Sequence, residues 1–119
     1  MKEIAKANEG KAHFITIYIR EAHPTDEWQM SSNEKEGVCY AQPHSLADRQ
    51  AIARDFVKRN DYAMPMLVDD MDNAADTLYA AWPERLYVID EHGVIAYKGK
   101  QGPFGFKPDE VDKWLAARP

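Results

Sequence analysis

The chain has 119 residues, 45% of them hydrophobic, and a formal net charge of −5. That is one domain's length with enough apolar material for a core, and the acidic balance argues against nucleic acid and an anionic membrane as main partners, since both select a basic face. No stretch approaches the ~18 consecutive apolar residues of a spanning helix, and the opening Met1-Lys-Glu-Ile-Ala-Lys-Ala-Asn8 lacks the apolar run of a secretory leader.

Residues 2 to 9 read as a short helix stopped by Gly10. His13-Phe-Ile-Thr-Ile-Tyr-Ile19 is nearly continuous in β-branched and aromatic residues, which predicts a strand covered on both faces and lying inside a sheet. It stops abruptly and delivers Arg20, Glu21, His23, Asp26 and Trp28 into a turn marked by Pro24. Just beyond the carboxyl ends of buried strands, side chains are fixed by the sheet yet still reach solvent, so Glu21 and His23 could handle a proton near neutral pH. A strand-end histidine bonded only to backbone is the plainer alternative, and spacing alone favours it.

Residues 29 to 43 read as an irregular excursion with at most a brief strand at Val38 to Ala41. Cys39, the sole cysteine, cannot pair within the chain, which fits a reducing, cytoplasmic setting; no basic neighbour or partner thiol marks it as a nucleophile. Ser45 followed by Asp48 forms a variant capping box, and Leu46, Ile52, Phe56 and Val57 give an apolar stripe through about Asn60. The charges of this helix, Asp48, Arg49, Arg54, Asp55, Lys58 and Arg59, read as a solvated face.

Met64 to Asp69 predicts a second buried strand, and Asp69 to Asn73 a helix start. The three aspartates lack the glycine turn and closing glutamate of a calcium loop, so capping is their expected use and no metal is expected. The following helix must end before Trp82-Pro83. Arg85 to Asp90 and Val94 to Gly99, joined across Glu91-His-Gly93, predict an antiparallel hairpin. Gly102-Pro-Phe-Gly-Phe106 reads as a stiff loop, and Pro108, Asp109 and Glu110 open a last helix burying Val111, Trp114 and Leu115. Helix, strand, helix, strand, helix, strand, strand, helix is the order of an α/β layer fold with a mixed sheet.

Tyr18-Ile-Arg-Glu-Ala-His23 with Trp28, Pro65-Met-Leu-Val-Asp69, Tyr79 to Ile89 around Trp82-Pro-Glu-Arg-Leu-Tyr87, and Tyr97-Lys-Gly99 with Gly102-Pro103 together resemble the iodothyronine deiodinase family. The resemblance covers roughly residues 10 to 117. It implies a single thioredoxin-like three-layer α/β/α domain and reductive removal of iodine from an aromatic ring by a selenocysteine or cysteine nucleophile. No cofactor is implied, a thiol reductant serving as cosubstrate beside a small aromatic substrate. Carried over residue by residue, His23 would hold the substrate's phenolic hydroxyl or share a proton with it, Glu21 and Glu84 would belong to a proton-delivery network, and Trp28, Gln101 and Phe104 would face the substrate. Thioredoxin-like folds also carry a cis proline before the strand facing the nucleophile, the place of Pro83 here.

Two departures qualify that transfer. Vertebrate members of the family have arginine where this chain has Gln101, so a fork for a substrate carboxylate is missing at that position. A histidine of the family falls at Pro43, with His44 one position on, and its role does not transfer. Further, the family's nucleophile sits on an earlier strand-turn-helix unit, and Met1 falls inside the helix that follows it. The chain is therefore expected to be a downstream fragment of a longer selenoprotein or cysteine enzyme, lacking the central strand between those at His13 and Arg85. Unpaired buried backbone groups cost ~1 to 3 kcal/mol each, so the exposed edges are expected either to form a homodimer or to close by direct pairing of those two strands. The readings from other classes are a non-catalytic thioredoxin-like binding or assembly module and a thiol peroxidase-like redox enzyme.

Overall fold

The computed structural model describes residues 1–21 and 42–118. Among them the elements follow the expected order: α1 (Lys2–Ala7), β1 (Thr16–Tyr18), α2 (Leu46–Asn60), β2 (Met66–Val68), α3 (Ala74–Tyr79), β3 (Tyr87–Ile89), β4 (Ile95–Lys98) and α4 (Pro108–Ala116). The architecture is mixed α/β. Its parallel and antiparallel pairings sit in two separate two-stranded sheets, β1 with β2 and β3 with β4. Direct pairing of the strands at His13 and Arg85 is thus not formed among the described residues. No described helix is long and apolar enough to cross a membrane.

Local chemistry sets most of the boundaries. Ser45, in extended backbone, accepts the Asp48 amide on Oγ at 3.1 Å and opens α2. The helix stops at Asp61, whose φ of 46° is left-handed. Asp69 ends β2 and starts α3: its Oδ1 accepts the amides of Asp70 and Ala75, each at 2.9 Å, and its Oδ2 accepts that of Asp76 at 3.0 Å. The first aspartate of the acidic run is therefore a cap, as its spacing predicts. In the hairpin, Asp90 Oδ1 accepts the amides of His92 and Val94, and Gly93 takes the φ of +77° that a side chain would resist. Asn8 ties α1 to α4 through Asp112 Oδ1 at 3.1 Å, and Lys2 donates to the carbonyl of Asn60 at the end of α2.

Three expectations are corrected. The strand predicted from His13 to Ile19 forms only over Thr16–Tyr18, and that from Met64 to Asp69 only over Met66–Val68. The ladder is bounded by Thr16 N donating to Pro65 O and Asp69 N donating to Tyr18 O; Pro65 has no amide to return, and beyond Asp69 the chain turns into α3. Neither strand is covered on both faces, since Ile17 and its register partner Leu67 are 38% and 56% exposed. With two strands in each sheet, one apolar face of each strand keeps contact with solvent. Finally, Arg49 does not belong to a solvated face: it is 3% exposed and turns inward. The most deeply buried apolar residues are Ala53 on α2 and Val111 and Leu115 on α4.

Candidate functional site

The parallel pair β1 and β2 sends both chains out at the same edge. Beyond β2, Asp69 is committed to the cap of α3, and its carbonyl and that of Asp70 accept Arg49 Nη1 at 3.2 and 2.8 Å. Arg49 Nη2 donates to Asn73 Oδ1 at 3.0 Å. The guanidinium thus fills the place of water for carbonyls at the strand end, which is why it is buried rather than solvated.

Beyond β1, two side chains leave in succession. Glu21 is half-buried and accepts a hydrogen bond from the Tyr18 hydroxyl, while its amide donates to Gln42 Oε1 at 3.2 Å. Burial pushes its carboxyl above the ordinary carboxylate range, with the charge of Arg49 pulling part of the way back. A carboxyl raised in this way carries its proton nearer to neutral pH, which suits proton delivery.

Arg20 takes the other direction. Its Nε lies 2.9 Å from Asp76 Oδ2, and the other oxygen of Asp76 accepts the amide of Trp82 at 3.0 Å. Asp76 is 5% exposed, so one buried carboxylate aligns both residues, and the Arg20 guanidinium carbon stands 5.3 Å from the centre of a Trp82 ring. Around them is a cavity of about 330 Å³ whose wall includes Asn73, Thr77 and Gln101. Gln101 spends its amide nitrogen on the carbonyls of Ala80 and Trp82, at 2.9 and 3.0 Å.

The bond between Trp82 and Pro83 is cis, as the sequence leads one to expect, and so is that between Gly102 and Pro103. The Gly102 amide donates to Glu84 O at 2.8 Å. A β-carbon at Gly102 would stand 2.4 Å from Glu84 Cγ, so the glycine is what lets the loop lie against that side chain.

Of the residues singled out from sequence, Glu21 stands just beyond the carboxyl end of β1 and Gln101 lies on the cavity wall. Glu84 lies against the loop at Gly102 and does not line the cavity, and Phe104 is 95% exposed. His23, Trp28, Cys39 and the brief strand at Val38 to Ala41 lie outside the described residues. The structure adds Asp76 and Trp82, which sequence reasoning passed over. Trp82 could have been found as the residue before an expected cis proline; Asp76 leaves no local trace, because its partner is Arg20, 56 positions earlier.

Comparison with known proteins bears directly on this arrangement. The family model described as iodothyronine deiodinase matches residues 1–118. The chain is 45% identical to a type I iodothyronine deiodinase of Xenopus laevis over 100 residues, covering 84% of this chain and 37% of that protein. It is 39% identical over 105 residues to a thyroxine 5-deiodinase of Gallus gallus, covering 87% and 38%, and 37% identical over 102 residues to that of Homo sapiens, covering 86% and 32%. The chain therefore spans little more than a third of the length of these relatives.

Proposed function

The chain belongs to the iodothyronine deiodinase family, and from that premise we propose that the complete protein is an oxidoreductase that reductively removes iodine from a small iodinated aromatic substrate, with a thiol as reductant. The 119 residues form one thioredoxin-like domain in this reading and supply its proton-handling side, while a selenolate or thiolate from elsewhere in the complete protein serves as nucleophile. Replacing a carbon–iodine bond by carbon–hydrogen requires that the electron pair of the broken bond take up a proton while iodine leaves onto the nucleophile. Two thiols then close to a disulfide, release iodide and return the nucleophile. His23 holds the phenolic hydroxyl or shares a proton with it, Glu21 and Glu84 belong to the network that delivers the ring proton, and Trp28, Gln101 and Phe104 face the substrate.

The observation that carries this reading is the family match over residues 1–118, nearly the whole chain. The position of Glu21 agrees with it: a half-buried carboxyl of raised pKa, two residues before His23 at the exit of β1. The complete protein, incubated with an iodinated phenol and dithiothreitol, should release iodide, and His23→Ala should lower turnover about tenfold or more, the low end for losing a positioned proton donor. Absence of iodide release overturns the activity. Release with unchanged turnover in His23→Ala removes His23 from the chemistry.

A further inference from the structure

We propose that the cavity at the carboxyl edge of β1 binds the carboxylate of an aromatic ligand, with the guanidinium of Arg20 as the anion-holding group and Trp82 as the wall for the ring. The choice of an iodinated aromatic acid as ligand rests on the deiodinase-type reading; the assignment of Arg20 rests on the geometry.

Arg20 is the only cationic side chain among the described residues that line the cavity. It is also aimed. Asp76 Oδ2 pairs with Arg20 at Nε, 2.9 Å away, and the Arg20 side chain is 47% exposed, so a ligand can reach the guanidinium. A guanidinium anchored on one side and exposed on the other is placed to make two parallel hydrogen bonds to a carboxylate. Asp76 cannot compete for the ligand's place: it is buried, and its second oxygen is already taken by the Trp82 amide.

The rest of the wall brings no second cation, and Asp72 adds an exposed carboxylate to it, so the holding of an anion falls to Arg20 alone among the described lining residues. Gln101 lines the cavity without charge, and its amide nitrogen is engaged by two backbone carbonyls, so it offers an anion no free donor of its own. The volume of about 330 Å³ falls at the small end of the ~300 to 1,000 Å³ usual for small-molecule sites. An indole beside a guanidinium accepts an aryl carboxylate, ring to ring and charge to charge, better than it accepts either a neutral ring or an aliphatic acid. Arg20 thereby becomes a specificity-determining residue, acting on affinity for the acid.

The test uses the chain as it stands, with 3,5-diiodo-4-hydroxyphenylacetic acid and its methyl ester as probes, titrated by calorimetry at low salt and about pH 5, where the carboxyl is ionised and the iodinated phenol of both probes is neutral. The acid should bind about tenfold or more tightly than the ester, the usual scale for a charge-assisted hydrogen-bonded pair. Arg20→Gln should abolish that preference and leave the ester's affinity unchanged, and Arg20→Lys should keep part of it. Because Arg20→Gln also removes the partner of a buried aspartate, a measurement on the unaltered chain stands beside it: added sodium chloride should weaken the acid and not the ester. Equal affinity for acid and ester, or an equal loss of both in Arg20→Gln, overturns the assignment of Arg20. Those results leave iodide release by the complete protein untouched, whereas failure of iodide release with either probe overturns the function while the preference for the acid still stands.

Discussion

The carboxyl edge of the β1–β2 pair and the β3–β4 hairpin are built from similar short strands, yet they treat polar and apolar side chains in opposite ways. At the first, Arg49, Asp69 and Asp76 are almost wholly buried and nearly every polar atom has a named partner. At the second, Ile89 and Ile95, partners in register, are both about half exposed. The lesson concerns where specificity lies. Burial at the strand edge is organised by charges that answer orphan backbone groups, each of which would be costly if left unpaired, while the hairpin is held by its turn and leaves apolar surface in water.

The sharpest way to break the comparison is to remove one member of the buried set and one of the exposed pair. Asp69→Ala deletes the acceptor of three amides and uncaps α3, and should cost about 3 kcal/mol, the scale of charged hydrogen bonds lost together with a cap. Ile89→Thr, on an exposed face, should change stability by ~0.5 kcal/mol or less. Urea unfolding midpoints at one pH distinguish the two, and comparable losses would show that the hairpin face is covered in solution.

A smaller effect separates the two regions by pH. Glu21 has a raised pKa when folded, chiefly because burial disfavours its charge. The folded state then holds a proton that the unfolded state has released, so this group's contribution to stability is fully present below the unfolded pKa and is lost as pH rises through the folded one. Glu21→Gln removes the dependence. The mutant should gain on the parent as pH climbs from about 4, read as a difference between unfolding midpoints across the pH series; a flat difference would mean that Glu21 ionises as freely as in the unfolded chain.

The smallest effect belongs to the hairpin side, where Tyr97 on β4 donates to Glu110 Oε2 of α4 at 2.6 Å. That bond, then burial and the charges of Glu110 and Asp109, pushes the phenol up to about 12. Glu110→Gln should bring its titration back toward 10, followed by the ring resonances of Tyr97, with no more than a few tenths of a kcal/mol in stability for so exposed a contact. An unchanged titration would remove Glu110 as the cause.

Much of the local structure was legible from residue pattern. Ser45 and Asp48 mark the start of α2 because a cap is a contact between residues three apart, and Asp90 with Gly93 marks the hairpin turn for the same reason. Arg49 was not legible: a charge at that helical position reads alike whether it faces water or a neighbour. Its burial depends on the carbonyls of Asp69 and Asp70, 20 and 21 positions away. The strands at Ile17 and Leu67 were misjudged in the other direction, since an apolar run reports a preference for cover and cannot say whether another layer supplies it.

The sequence by itself determined the order of the eight elements found among the described residues, the caps and turn that bound several of them, and membership of a family through motifs set far apart in the chain. Those features rest on contacts within a few residues or on identities that need no coordinates. Only the tertiary structure decided that the strands divide into two pairs, that Asp76 aligns Arg20 with Trp82, and that Gln101 closes the same cavity. Each of these joins groups from separate elements, and their energies depend on distance and burial, which exist only once the elements have packed.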